Sequence, residues 1–178
     1  MLVWQRQEVQ ALPRRVARKE RPVQPTEALS VQGQELVRKL GIKPGHFVAV
    51  LNAPPFMKGI FRMLVPPETR FETDLDDNDH PDIVLFWLDE SINLPSAFKD
   101  LRDRITPDGA VWAVIPKKPV AITRGPKIYF DDVLAQVLPT GLVDNKTVTF
   151  TDDEYGIRFV LRKELRKLPP WERPASAP

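Results

Sequence analysis

An open, mostly parallel α/β sheet with helices on both faces and an antiparallel hairpin at its C-terminal end is the fold this sequence predicts. Three observations carry that prediction. Three apolar runs without polar alternation, 47–51, 83–88 and 110–115, have the character of strands covered on both faces. Amphipathic helical patterns alternate with them, as in doubly covered sheets. Two later segments, 146–150 and 157–161, instead alternate polar and apolar residues, as a half-exposed hairpin does.

In chain order, Ser30 to Leu40 is the first helix. Leu36, Val37 and Leu40 share one face, and Gly41 stands where a helix closes in the left-handed conformation. Lys43-Pro44-Gly45 turns the chain into the first strand, Phe47 to Leu51. Only 31 residues then separate Leu51 from Ile83, room for a short helix near Met57–Leu64 and at most one poor strand around Arg70–Glu72. After the second apolar run, Leu94, Phe98, Leu101 and Ile105 follow helical spacing. Pro107-Asp108-Gly109 introduces the third run, and Phe130 to Leu138 forms a further helix with Asp131 and Asp132 in its first turn. Thr151 to Glu154 is the turn of the closing hairpin.

The chain has 178 residues, 42% hydrophobic and 28% charged, enough to bury a sizeable core. No apolar run approaches the roughly 18 residues that cross a bilayer, so no membrane role is expected. Cysteine is absent, which excludes disulfides and thiolate chemistry and fits a reducing cytoplasm. Two histidines, His46 and His80, are too few and too isolated for a metal site. The acidic run 74–82 begins like a calcium loop but has Asp79 where that loop needs glycine, and no metal is expected there.

Charge divides the chain into three parts. Residues 1–26 hold six basic and two acidic side chains, 162–178 hold five and two, and 27–161 hold 15 and 20. The expected organisation is a basic, proline-containing tail over 1–26, an α/β domain over 27–162, and a proline-rich basic tail over 163–178. Such tails suit nucleic acid or another acidic partner. The plainer reading is a pair of solvated arms.

The order of elements resembles a shortened class I methyltransferase. Leu40 to Gly45 with Val48 to Pro54, Pro107 to Ala110 through Ile115 to Lys118, and Gly141 to Lys146 leading to Arg158-Phe159-Val160 also resemble a bacterial family of small methyltransferase-like proteins defined as a domain of unknown function. The resemblance covers about residues 28–162 and leaves both tails unmatched; it implies a Rossmann-like fold and leaves the function open, S-adenosylmethionine being the cofactor of class I methyltransferases at large.

The residues themselves disfavour that cofactor. Its loop needs glycines that let the backbone approach and donate. Here the loop is Asn52-Ala53-Pro54-Pro55-Phe56, and the eight glycines are nowhere closer than four positions, so no G-x-G exists. The same loop resembles the Asn-Pro-Pro-aromatic motif of some amino-methyltransferases, but it follows the wrong strand and carries an inserted Ala53. No G-x-S-x-G accompanies any serine.

What remains is the crevice beyond the strand ends. In a methyltransferase-like order it gathers Asn52, Asp89, Glu90, Lys117 and Lys118 around one mouth. Lys117-Lys118, with Arg124 and Lys127 following, suits a phosphate or acidic partner, the alternative being exposed loop lysines. No catalytic residue and no cofactor are expected. The expected function is a non-catalytic binding or accessory module. The other two readings are a divergent enzyme using S-adenosylmethionine or a nucleotide, and a nucleic-acid binder using its tails.

Overall fold

Helix α1 (Pro25–Leu40) begins earlier than the expected Ser30. Proline suits a first helical position, where the N–H has no partner anyway. At its far end Gly41 takes φ +79°, and the N–H groups of Gly41 and Ile42 close back on the Arg38 and Val37 carbonyls at 3.1 and 3.2 Å. This computed structural model describes residues 25–174. The expected tail over 1–26 therefore lies almost wholly outside the described residues, together with the last four residues.

The sheet has six strands in the order β2-β1-β3-β4-β6-β5. Strands β1 (Phe47–Leu51), β2 (Arg70–Glu72), β3 (Ile83–Trp87) and β4 (Ala110–Pro116) run parallel. Strands β5 (Leu142–Thr149) and β6 (Glu154–Leu161) form the antiparallel end, with β6 paired to β4 from Ala110–Val160 to Pro116–Glu154. The hairpin is longer than its clearest alternating stretches, and its register shifts between Asp144 and Lys146.

Two apolar layers sandwich the sheet. Helices α1 and α2 (Pro55–Leu64) cover one face, where Phe61, Trp87 and Trp112 pack with Phe150 at ring-centroid distances of 6.0, 5.7 and 6.4 Å. Each such buried ring contributes roughly 1.5–3 kcal/mol by leaving water. The Trp112 indole N–H also donates to Leu40 O at 3.1 Å, which ties the end of α1 to the sheet centre. Gly156 lies beneath Phe150, and a methyl group there would run into that ring. Helices α3 (Leu94–Arg104) and α5 (Phe130–Val137) cover the other face, where Phe98 touches Phe86 and Phe159 at 5.9 and 5.5 Å. A short helix, α4 (Lys118–Thr123), follows β4. The acidic loop before β3 serves the fold, because Asp79 accepts from the Asp76 N–H and pairs with Arg70 at 2.8 Å.

The expected tail over 163–178 is different in its described part. Leu165, Pro170 and Arg173 are buried. Arg173 Nη1 donates to the Arg102 and Ile105 carbonyls at 2.6 Å each, and Arg102 Nη2 returns a bond to Pro174 O at 3.1 Å. The carbonyls freed at the C-terminus of α3 attract a guanidinium, which charge counting along the sequence does not reveal. The body extends to residue 174. No helix among the described residues is long and apolar enough to cross a membrane.

Candidate functional site

Open parallel sheets take ligands beyond their strand carboxyl ends, where the strand order reverses. Here β1 has β2 on one side and β3 on the other, so the reversal falls between Leu51 and Trp87. Asn52 follows β1 with φ +51°, a left-handed conformation that asparagine tolerates better than most residues. Its side chain spans the gap. Nδ2 donates to Trp87 O and to Asp89 Oδ2, both at 2.9 Å. The Asp89 carboxylate accepts in turn from the Ser91 N–H and hydroxyl. The Ser91 hydroxyl, then the Asn52 amide and the Ser91 N–H, hold that carboxyl below its ordinary range.

Beyond Asn52, Pro54 caps α2 and Pro55 stands in its first turn, and neither offers an N–H. The N–H groups of Met57 and Lys58 both turn back to Pro54 O. This helix start has little left to donate to a phosphate or carboxylate.

Against this network a cleft of about 740 Å³ opens on the α2 face. Asn52, Pro54 and Phe56 bound it on one side, with Phe56 66% exposed. Trp87 and Val114 lie at the strand level, and Arg124 and Glu154 stand on the hairpin side. The Arg124 guanidinium pairs with the Asp153 carboxylate and fastens the end of α4 to the hairpin tip. Thr151 Oγ1 accepts from the Asp153 and Glu154 N–H groups at 3.2 and 3.0 Å, which shapes that tip.

Glu154 is half-buried, and burial pushes its carboxyl above the usual range. The Trp87 indole N–H and the Thr151 hydroxyl oppose the shift, while Asp153 reinforces it. Trp87 is only 5% exposed, and its N–H lies by Glu154 without closing a hydrogen bond of normal geometry. The cleft thus pairs an aromatic and aliphatic floor with a carboxyl that holds its proton to higher pH than a free glutamate.

The fold parts the five residues expected around one mouth. Asn52 and Asp89 meet directly and line the cleft. Glu90 is exposed beyond them. Lys117 Nζ is engaged by Asp152 O at 2.7 Å. Lys118 borders a separate concavity on the opposite face of the sheet.

Solved structures share this architecture. A putative type 11 methyltransferase from Sulfolobus solfataricus matches with a TM-score of 0.56 at 13% identity, over 74% of this chain and 92% of that one. A SAM-dependent methyltransferase from Aquifex aeolicus matches at 0.55 and 12%, over 77% and 93%. The N-methyltransferase NodS from Bradyrhizobium japonicum WM9 matches at 0.52 and 9%, over 74% and 96%. The fold is class I methyltransferase-like. No family model and no curated protein sequence matches the chain. Identities this low establish architecture and leave chemistry to the site.

Sequence reading missed Trp87 and Glu154 as cleft residues. Trp87 sits inside a continuous apolar run, where nothing marks its polar edge. Glu154 was legible in part, since strand alternation from 154 onward sends Glu154 and Tyr155 to opposite faces.

Proposed function

We propose that this chain is a methyltransferase-fold binding or accessory module, with the cleft between Asn52 and Glu154 as its ligand site. One observation carries the reading: the Asn52 amide donates to Trp87 O and Asp89 at 2.9 Å, so the polar groups at the strand-order reversal are already engaged with one another. The prolines after it support the same reading, because they remove donors that an anionic or adenosyl ligand would use. S-adenosylmethionine is accordingly disfavoured.

A second reading has its own support. The cleft lies along the strand ends, and Glu154 is a carboxyl pushed up by burial, the kind of group that serves as a general acid or base. This favours a divergent enzyme using S-adenosylmethionine or a nucleotide. Isothermal titration of the full chain with S-adenosylmethionine and with ATP separates the two. The module reading expects no binding tighter than about 100 μM, and saturable binding near 1 μM, about −8 kcal/mol, would put the enzyme reading first.

A further inference from the structure

The alternation that sends Glu154 to the α2 face sends Tyr155 to the other, where a concavity of about 500 Å³ opens. Three aromatic residues line it: Tyr129 and Phe130 at the start of α5, and Tyr155 from β6. All three are only partly buried, and none pairs with another aromatic ring among the described residues. Two carboxylates, Asp131 and Asp132, stand on the rim against one ammonium, Lys118. The rim therefore carries a net charge of −1 by formal count.

Asp131 and Asp132 have an ordinary use in the helix's first turn, where the dipole favours anions. Of the aromatic residues, Phe130 and Tyr155 pack against the core beneath them and, with Tyr129, remain partly exposed along the concavity. Burial, and then the charge of Asp131, push the Tyr155 phenol above its usual range, and the two residues line the same concavity. Aromatic faces beside a carboxylate attract a cation whose charge is spread over alkyl groups. Such an ion loses little hydration on entry and gains quadrupole and Coulomb terms together. A phosphate would meet two carboxylates and a single lysine.

We propose that the concavity formed by Tyr129, Phe130 and Tyr155, with Asp131 at its rim, binds an alkylated ammonium group. The site is separate from the cleft around Asn52, so either can fail without the other. The group has two chemical sources, a free quaternary amine or a methylated lysine side chain on a protein. Lys118 is the resident competitor, because its ammonium borders the same space.

The test titrates full-length protein with choline, with its neutral isostere 3,3-dimethylbutanol, and with a short peptide carrying one trimethyllysine. Choline is expected to saturate at about 1 mM or tighter, and the isostere to bind at least about tenfold more weakly. Tyr155→Phe keeps the ring and should keep binding, whereas Tyr155→Ala should weaken it by about tenfold or more. Asp131→Asn, on an exposed position that leaves folding intact, should weaken it by about threefold. Lys118→Ala should tighten it. Peptide binding tighter than choline by about tenfold assigns the site to a protein side chain, and equal binding assigns it to the free amine. No saturation by choline or peptide up to about 10 mM overturns the proposal. So does equal binding of the neutral isostere, or weaker choline binding after Lys118→Ala, which would show that the lysine is not a competing cation in this space.

Discussion

The junction between β1 and β3 and the hairpin end of the same sheet edge treat their polar groups in opposite ways. At the junction Asn52, Asp89 and Ser91 satisfy one another, and the prolines that follow have no donor to leave unpaired. At the hairpin end burial pushes the Glu154 carboxyl and the Tyr155 phenol up, and the Trp87 N–H lacks a well-formed bond. A satisfied polar cluster holds a structure together and gains little from a ligand. An unsatisfied one gains from whatever completes it. In this molecule the polar groups at the strand-order reversal are already engaged with one another, and the unsatisfied ones lie beside β6.

The strongest way to break that contrast is to remove what joins the two regions. Trp112 is fully buried at the centre of β4, hydrogen-bonded to Leu40 O and packed against Phe150 of the hairpin. Trp112→Ala should cost about 3–5 kcal/mol in denaturant unfolding. A loss below about 1 kcal/mol would mean that the hairpin does not depend on this packing.

The next effect tests how far the hairpin side extends. Arg173→Ala removes a guanidinium from two carbonyls in a buried setting and should cost about 2–3 kcal/mol. Hydrogen exchange should then show residues 165–174 opening while β1 and β3 stay protected. Uniform loss of protection would instead join this segment to the global unfolding unit. Deleting 163–178 should lower the melting temperature as well, contrary to what a tail beginning at 163 implies.

The strands and the two-layer burial were readable because apolar runs and helical spacing report burial directly. Phe47–Leu51, Ile83–Trp87 and Ala110–Pro116 needed no tertiary information. The contents of the site were legible only through the fold. Asn52 and Asp89 are 37 positions apart, and the methyltransferase-like strand order, with β1 paired to β3, is what makes them expected neighbours. Glu90, Lys117 and Lys118 follow the same strand ends but point to different surroundings, since adjacent residues at a strand end leave on different faces. The packed segment after 162 was hidden for a related reason. Its anchors are Leu165, Pro170 and Arg173, set among basic residues and prolines that read as solvated until the carbonyls of α3 come within reach.

A smaller effect sharpens the junction. Asn52→Ala loses both bridging bonds and leaves a β-carbon in the left-handed region, for about 1–2 kcal/mol. Asn52→Gly loses the same bonds but relaxes the backbone, so it should cost less than alanine. Equal costs in thermal melting would show that φ +51° carries no strain here.

The smallest effect separates the two regions by the sign of their response to pH. Glu154 has its folded carboxyl raised above its ordinary value of 4.5, so the folded protein keeps a proton that the unfolded chain releases. Its ionisation therefore costs stability as pH rises through 4.5 toward the raised value, and the full cost is present at neutral pH. Glu154→Gln removes the titration and should melt slightly higher than the parent at pH 7, with the difference gone at about pH 4. The gain should stay well under about 1 kcal/mol, because the side chain is only partly buried and water screens it. Asp89 works the other way. Its folded carboxyl lies below its ordinary value of 3.8, so its contribution is present above that pH and is lost as pH falls through the depressed value. Asp89→Asn should melt lower than the parent at pH 7 and approach it in strong acid. Paired melting curves of the two variants from neutral pH downward should show differences of opposite sign that both fade. If Glu154→Gln instead melts lower at pH 7, the ionised carboxylate is already satisfied within the fold, and the hairpin end loses its standing as the unsatisfied partner in the comparison.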